Sequence, residues 1–359
     1  MNHNKSYHIL WIVVILLIFS TVTMAQQRWQ DLPVVFQIES ETAIRDVDWN
    51  FDSTLLALAN GDDVISIIDV AAGTIDVQLD SVANEIAVVH TIGWSPTQNH
   101  LLIANNLTKI WDYSENEWLN DFEFPNALDF VEYTPDNFDW HPTEDKFAIL
   151  LRECDEGTLY RPGARVEIWN VENSTFSQIA GCVSKGFGEV KWNPQGTQLA
   201  INGFSVFDND GFVDFEEIEI WDVDTAEEIL TITDLQDPWG LAWNPAGDMI
   251  AFTTRIDFNR YMQVWDVTND ELVWQVEANL GVYTPLDWHP SENLLVTGSQ
   301  DGSVKIWDAL SGIELIELPV HEDIVNDVSW SPDGCMLASV GRDGRLFIWD
   351  VSDLQQYHQ

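Results

Sequence analysis

His321, Ser339 and Asp343 lie within one 23-residue stretch near the C-terminus. A serine becomes a nucleophile when a histidine takes its proton and a carboxylate orients that histidine, so these three residue types are the minimum set for acyl transfer. Ser339 sits in Ala338-Ser339-Val340, not in the Gly-x-Ser-x-Gly turn that exposes such a nucleophile in many hydrolases. A second cluster, Asp208-Asn209-Asp210-Gly211 followed by Asp214, has the oxygen-rich composition of a calcium loop. It lacks the glycine at the sixth position of the helix-loop-helix calcium motif, and Asn-Asp-Gly reads equally as a plain turn. We therefore expect no metal and no cofactor. Cys154 and Cys182 form a candidate disulfide; Cys335 reads as a small buried apolar residue.

Composition narrows the partners. Sixty acidic residues face fifteen basic ones, a net charge of −45. Such a field repels nucleic-acid phosphates and anionic membranes, and it favours cationic partners or plain solubility. With 45% hydrophobic and 12% aromatic residues, the chain still carries enough apolar surface for packed cores. At the N-terminus, Lys5 precedes an unbroken apolar run from Ile9 to Phe19 and small residues up to Ala25. That order describes a secretory signal over 1–25, or alternatively a signal anchor, and it predicts an extracytoplasmic domain over 26–359.

The elements that would position these residues repeat. Trp49, Trp94, Trp140, Trp192, Trp243, Trp288 and Trp330 step by 45, 46, 52, 51, 45 and 42 residues, and all but the first begin a Trp-[Ser/His/Asn]-Pro tripeptide. Trp111, Trp169, Trp221, Trp265, Trp307 and Trp349 form a second series in the same phase. A fixed period of this size marks one supersecondary unit per period. In the last repeat, Asn326 to Trp330, Met336 to Val340 and Leu346 to Asp350 alternate apolar and polar residues around Pro-Asp-Gly and Asp-Gly turns, the pattern of antiparallel strands joined by hairpins. The sixth repeat adds a fourth strand, Glu314 to Pro319. The seventh lacks one, and Leu32 to Ile38 is a strand without a partner. Pairing the two would close a ring and remove two exposed edges.

Repeats of this length ending in Ile-Trp-Asp resemble the WD-repeat family, whose four-stranded blades surround a central channel. The resemblance implies an all-β, seven-bladed WD-type β-propeller. The first repeat departs from it, with Ile67-Ile68-Asp69 where Ile-Trp-Asp is expected. The resemblance also supplies another meaning for the apparent triad: His321, Ser339, Asp343 and Trp349 match the positions of a buried structural hydrogen-bond network. No catalytic residue is expected on this reading.

The repeats are not equal. From the first marker of each blade to the third-strand Trp (or Ile68), the spacing is 19, 17, 29, 29, 22, 19 and 19 residues. Blades three and four carry their extra length between strands two and three, near Glu153 to Gly163 and Gly203 to Glu217, and a long connection around Pro125 to Asp139 rises on the same face. Phe130, Tyr133, Asp136, Asp155, Glu156, Tyr160, Arg161, Asp208, Asp210, Phe212, Asp214 and Phe215 populate these segments. Aromatic rings beside carboxylates suit a cationic or amphipathic protein or peptide. The expected function is a monomeric, non-catalytic scaffold binding such a partner there. The alternatives are a propeller enzyme with carboxylates at the channel mouth, and a calcium- or sugar-binding module.

Overall fold

Strand formation in this chain follows from two-sided burial. Leu55–Asn60 is buried at all six positions, so alternate side chains serve two different cores and neither face meets water. The computed structural model describes residues 32–356 without 81–88, 90, 105–107, 120–137, 155–161, 184–187, 204, 205, 209, 210, 214–216, 258 and 279–283. Within them lie seven antiparallel four-stranded sheets and one two-stranded hairpin. Six blades run over 44–80, 91–118, 138–183, 190–232, 239–277 and 286–319. No helix of the described residues is long and apolar enough to cross a membrane. Residues 1–25, where a signal or anchor is expected, lie outside those described.

The seventh blade joins both ends of the chain. Val325–Trp330, Met336–Gly341 and Arg345–Asp350 form its first three strands, and Val34–Glu39 is the fourth. The register sets Phe36 against Ile348, Ile38 against Leu346 and Glu39 against Arg345. Backbone bonds from Ser40 N to Gly344 O (2.7 Å) and from Asp350 N to Pro33 O (3.0 Å) extend the pairing at both ends. The closing strand starts two residues later than the sequence pattern indicates, because Pro33 contributes only its carbonyl.

Seven hydrophobic clusters fill the seven seams between neighbouring blades. Leu55, Ala57 and Ala59 pack with Ile92, Trp94 and Trp111 of blade two, whereas Leu56 and Leu58 pack with Val340 and Ile348 of blade seven. Period-two alternation thus becomes alternation between seams. Ile68, which replaces tryptophan in the first repeat, is fully buried in the seam with blade seven. Each such aliphatic side chain contributes about 1.5–3 kcal/mol on burial.

Blades three and four differ from the sequence expectation in kind. Much of the extra length is strand rather than loop: Lys146–Cys154 and Pro162–Asn170 pair over nine residues each, to Cys154 opposite Pro162. In blade four, Gly203 pairs with Glu217, and a hairpin of Val206–Asp208 with Gly211–Val213 lies beyond that pair. Cys154 ends the second strand of blade three and Cys182 lies near the end of the fourth, with the third strand between them. Their side chains fall outside those described. Cys335 is half-buried, not fully buried, because it precedes the strand and its N–H is tied to Asp333 in the turn.

Removing residues 32–40 would leave Arg345–Asp350 as an unpaired edge. We expect a lower melting temperature and concentration-dependent association by light scattering. Unchanged behaviour on both counts would mean that the closing strand contributes nothing.

Candidate functional site

The first strands of all seven blades surround a cavity of about 440 Å³. Trp49, Trp94, Trp140, Trp192, Trp243 and Trp330 line it, together with Asp46, Asp48, Asp139, Asp287, Asp327 and Lys191. Its rim is made by residues of the turns that follow the first strands, among which Phe51, Pro96 and Pro332 are exposed. Strands in a blade alternate direction, so the turn after strand one leaves the ring on the face opposite the connection after strand two. The cavity therefore opens away from the long insertions of blades three and four.

Carboxylates of this wall hold neighbouring blades together. Asp46 accepts the N–H of Ile92 (2.7 Å), Asp48 that of Trp94 (2.6 Å), Asp139 that of Trp192 (2.7 Å), Asp287 that of Trp330 (2.8 Å) and Asp327 that of Val47 (3.1 Å). Deeper in the wall, Glu189 is fully buried and accepts the N–H groups of Gly240 (3.0 Å) and Leu241 (2.8 Å). The first strands of adjacent blades are too splayed to form a ladder, so a side chain reaches across and satisfies the amide.

At six seams the residue before the first-strand tryptophan goes with what the next blade's indole does; at the other, Ala242 precedes Trp243 and the Trp288 indole has no acceptor. Ahead of Trp330, Trp94 and Trp192 stand Ser329, Gly93 and Lys191, and their carbonyls accept the indole N–H of Trp49 (3.2 Å), Trp140 (2.8 Å) and Trp243 (3.2 Å). Where that residue is Asp48, Asp139 or Asp287, the carboxylate takes the backbone N–H, and the indoles of Trp94, Trp192 and Trp330 have no acceptor. Asp48 pairs its burial in this wall with repulsion from Asp46. Burial is the larger cause, and together they push its carboxyl up to about 8 against the pull of the Trp94 N–H and Lys191.

His141 and His289, which the sequence indicates only as turn residues, are buried links between blades. The Nδ1 of His141 accepts two turn amides, Thr143 (3.2 Å) and Glu144 (3.0 Å), while Nε2 contacts Gly196 O of blade four at 3.1 Å. His289 repeats this with Ser291 (3.2 Å), Glu292 (3.0 Å) and Gly334 O (3.0 Å) of blade seven. Each ring also stands edge-on to the next blade's tryptophan, Trp192 at 4.7 Å and Trp330 at 4.9 Å. An Nδ1 that accepts two N–H bonds must be unprotonated. Burial lowers both pKa values. A methyl at Gly196, whose φ is +69°, would fall 2.1 Å from His141 Nε2, so glycine is what lets the two blades meet.

His321 has the geometry of a hydrolytic triad. Its Nε2 lies 2.7 Å from Ser339 Oγ and its Nδ1 lies 3.0 Å from Asp343 Oδ1. Ser339 is 0% exposed, so no substrate carbonyl reaches Oγ. What remains is a buried network whose donors and acceptors satisfy one another. Asp343 also accepts the Glu322 and Arg345 N–H groups, at 2.9 and 3.1 Å. Burial raises the Asp343 carboxyl, but the bonds from His321 and these amides outweigh it and leave it below its ordinary value. Trp349 stacks on Phe347 beside this network.

Equivalent tryptophans find other partners. Trp307 donates to Thr297 Oγ1 at 3.0 Å, as the retained Thr and Trp of the sixth repeat would allow. Trp169 and Trp221 donate instead to Glu167 (2.8 Å) and Glu219 (3.0 Å) on their own strands, and both glutamates are buried. Sequence reasoning missed these two, although a Glu-Ile-Trp tripeptide in blades three and four signals them.

Of the residues placed on the insertion face, Phe130, Tyr133, Asp136, Asp155, Glu156, Tyr160, Arg161, Asp210, Asp214 and Phe215 lie outside the described residues. Asp208 and Phe212 lie in the blade-four hairpin, where Asp208 pairs with Gly211 and Phe207 with Phe212, and their side chains are not among those described. Asp208 and Gly211 are thus the last pair of that hairpin, and Asn209 lies with Asp210 outside the described residues.

The sequence matches two family descriptions. "WD domain, G-beta repeat" matches residues 312–350, the stretch that holds His321, Ser339 and Asp343, and "Anaphase-promoting complex subunit 4 WD40 domain" matches 14–97 and 241–326. The chain is a WD-repeat β-propeller protein. Among curated proteins, this WD-repeat propeller is similar to the periodic tryptophan protein 2 homolog of Caenorhabditis elegans, 31% identical over 71 residues. It is also similar to the pre-mRNA-processing factor 17 of Homo sapiens, 22% identical over 147 residues. These matches cover 20% and 40% of this chain, but only 8% and 23% of those proteins. WD-repeat propellers are generally non-catalytic scaffolds for protein interaction.

The same findings correct the expected location. A pre-mRNA-processing factor and a periodic tryptophan protein point to an intracellular place, not a secreted one. One family match also begins at residue 14, inside the segment that cleavage would remove.

Two pH effects of opposite sign follow. The folded-state pKa values of His141 and His289 lie below the unfolded value, so their contribution is present above about pH 6.5 and is lost as pH falls through the folded values. Asp48, raised from 3.8 to about 8, contributes most at low pH and loses that contribution as pH rises through about 8. Asp48→Asn, which keeps an acceptor for the Trp94 N–H, is expected to stabilise the protein by an amount that grows from pH 4 to about pH 8 and then levels off. Urea denaturation at a series of pH values checks this, and a pH-independent difference contradicts it.

Ser339→Ala would leave His321 Nε2 buried without a partner. We expect a loss of about 1–3 kcal/mol, the cost of one unsatisfied buried polar group, read from the shift of the urea midpoint. A change below a few tenths of a kcal/mol would show that the network does not support the blade.

Proposed function

We propose that this propeller is a non-catalytic scaffold that binds a protein or peptide on the face bearing the insertions of blades three and four. One observation carries the reading: blade three extends its second and third strands to nine residues each, and neighbouring blade four adds a further hairpin, Val206–Asp208 with Gly211–Val213, toward the same side. Extra structure held by a rigid scaffold is where binding concentrates in repeat proteins. The composition of these segments, aromatic rings among carboxylates, favours a cationic or amphipathic partner over nucleic acid.

Catalysis by the channel carboxylates is the weaker reading. Asp46, Asp48, Asp139, Asp287 and Asp327 each hold a backbone amide of the next blade, which ties them to structure before any substrate arrives. A general acid or base needs to reach a substrate proton.

Affinity capture from cells with the full chain, and with a variant in which residues 204–216 are replaced by a two-residue turn, tests the proposal. Partners held by the full chain should be lost or reduced at least tenfold with the variant, while its melting temperature stays the same. Equal capture by both would remove the insertion face from consideration.

A further inference from the structure

Most of the exposed large apolar side chains among the described residues lie at the outer circumference of the ring, in the turn before a fourth strand or in its first three residues. Some have a local reason: Phe176 stacks on Trp169 of its own blade at 4.8 Å. At the seam between blades five and six they join across blades. Half-buried Trp274, in the fourth strand Glu271–Glu277 of blade five, donates its indole N–H to Ala309 O (2.8 Å) in the turn of blade six. A methyl at Gly312, whose φ is +69°, would fall 2.8 Å from the indole, so glycine lets the ring lie against that turn. The contact gathers Leu272 and Val273 of blade five and Leu310 and Ile313 of blade six on one stretch of rim, each between 40% and 55% exposed.

The backbone of this stretch is open as well. Glu271–Glu277 is the last strand of its sheet, and among the described residues no strand pairs with its outer side. Outward amides and carbonyls on such an edge are a template for another extended chain. Edges are commonly blunted by shortness, proline or lysine. The fourth strand of blade two has only two residues and that of blade six ends in Pro319, whereas Glu271–Glu277 has seven residues and contains neither proline nor lysine.

Charge narrows the occupant. Asp270 and Glu271 precede the aliphatic pair and Glu277 closes the strand, all exposed. Across the seam Glu314 follows Ile313, and Lys305, the cation beside it, is held by Glu314 (3.0 Å) and Glu317 (3.4 Å). A second copy of this chain, with its net charge of −45, would bring like charge to this edge. A helix would cover the aliphatic side chains but leave the edge amides unpaired. An extended segment with alternate apolar side chains between lysines or arginines meets all three features, because main-chain bonds supply affinity and alternate side chains supply specificity.

We propose that the outer edge of blade five takes up a basic, amphipathic segment of a partner protein as a fifth strand. The segment pairs along Glu271–Glu277, its apolar side chains rest on Leu310 and Ile313 of blade six, and its basic ends meet the carboxylates at the ends of the strand. This shares with the scaffold reading only that the partner is a protein, and it uses a different surface.

The test uses the full chain and three capped heptapeptides. The first is Lys-Val-Thr-Val-Thr-Val-Lys; the second replaces both lysines with glutamate; the third keeps the lysines but is N-methylated at its fourth and fifth residues, which blocks both of its own edges. Amide hydrogen exchange, followed by mass spectrometry, reads the position of binding. The first peptide should slow exchange over 271–277 in a saturable way and leave the outer strand Glu227–Ile232 of blade four unchanged, and the other two peptides should not. The double variant Leu272→Lys with Val273→Lys should bind about tenfold more weakly. If that variant does not fold, Ile313→Lys on the neighbouring blade should weaken binding likewise. No protection over 271–277, equal protection by either control peptide, or affinity unchanged in both variants would overturn the proposal. Partner capture lost on replacing 204–216, together with no protection by the basic peptide, would leave the scaffold reading standing and this one refuted; protection together with capture unaffected by that replacement would do the reverse.

Discussion

Each blade of this ring has two apolar faces, and among the described residues no α-helix covers either. That constraint governs the rest of the structure. A four-stranded sheet with both faces apolar is stable only between two others, so blades must stack, and stacking comes to rest only when the last face meets the first. The seven seam clusters are this requirement met seven times. The pairing of Val34–Glu39 with Arg345–Asp350 adds the hydrogen bonds that fasten the final seam. The same demand explains why a strand such as Leu55–Asn60 reads as continuously apolar although it belongs to an antiparallel sheet.

Burial on both faces creates a polar problem at the ring's inner edge. There the first strands diverge, and their amides have no neighbouring strand. The answer varies from seam to seam: an aspartate clamp between blades one and two, an indole-to-carbonyl bond between two and three, a two-oxygen glutamate clamp between four and five. His141 and His289 solve a related problem further out, linking the turn of one blade to a carbonyl of the next. Polar side chains thus specify how neighbouring blades meet, whereas apolar side chains supply the stability. The buried triad geometry of His321, Ser339 and Asp343 belongs with them, because full burial turns a reactive arrangement into a satisfied one.

The ring has two unlike faces. One bears the extended strands and added hairpin of blades three and four; the other bears the channel mouth among the turns that follow the first strands. A rigid wheel with different chemistry on its separate surfaces can hold two partners, or two parts of one, without changing shape. This accords with the interaction role general to WD-repeat propellers.

Fold class, blade number and ring closure were legible in the amino-acid sequence, because the Trp49-to-Trp330 series and the Ile-Trp-Asp endings record a repeated local unit whose period survives in one dimension. The bonds of His321 to Ser339 and Asp343 lie at positions that the resemblance to WD repeats implies, and only the last repeat holds all the residue types. The sequence also misled: an apolar N-terminal run resembles a signal wherever the protein works, and extra residues between two strands look like loop whether or not they pair. What tertiary structure alone decided lies between blades. Asp48 meets Trp94 across 46 residues, Glu189 meets Leu241 across 52, and Asp327 meets Val47 across 280. Nothing in the spacing of single aspartates marks such contacts, because they depend on how two sheets splay around an axis. That angle is set by the packing of all seven seams together.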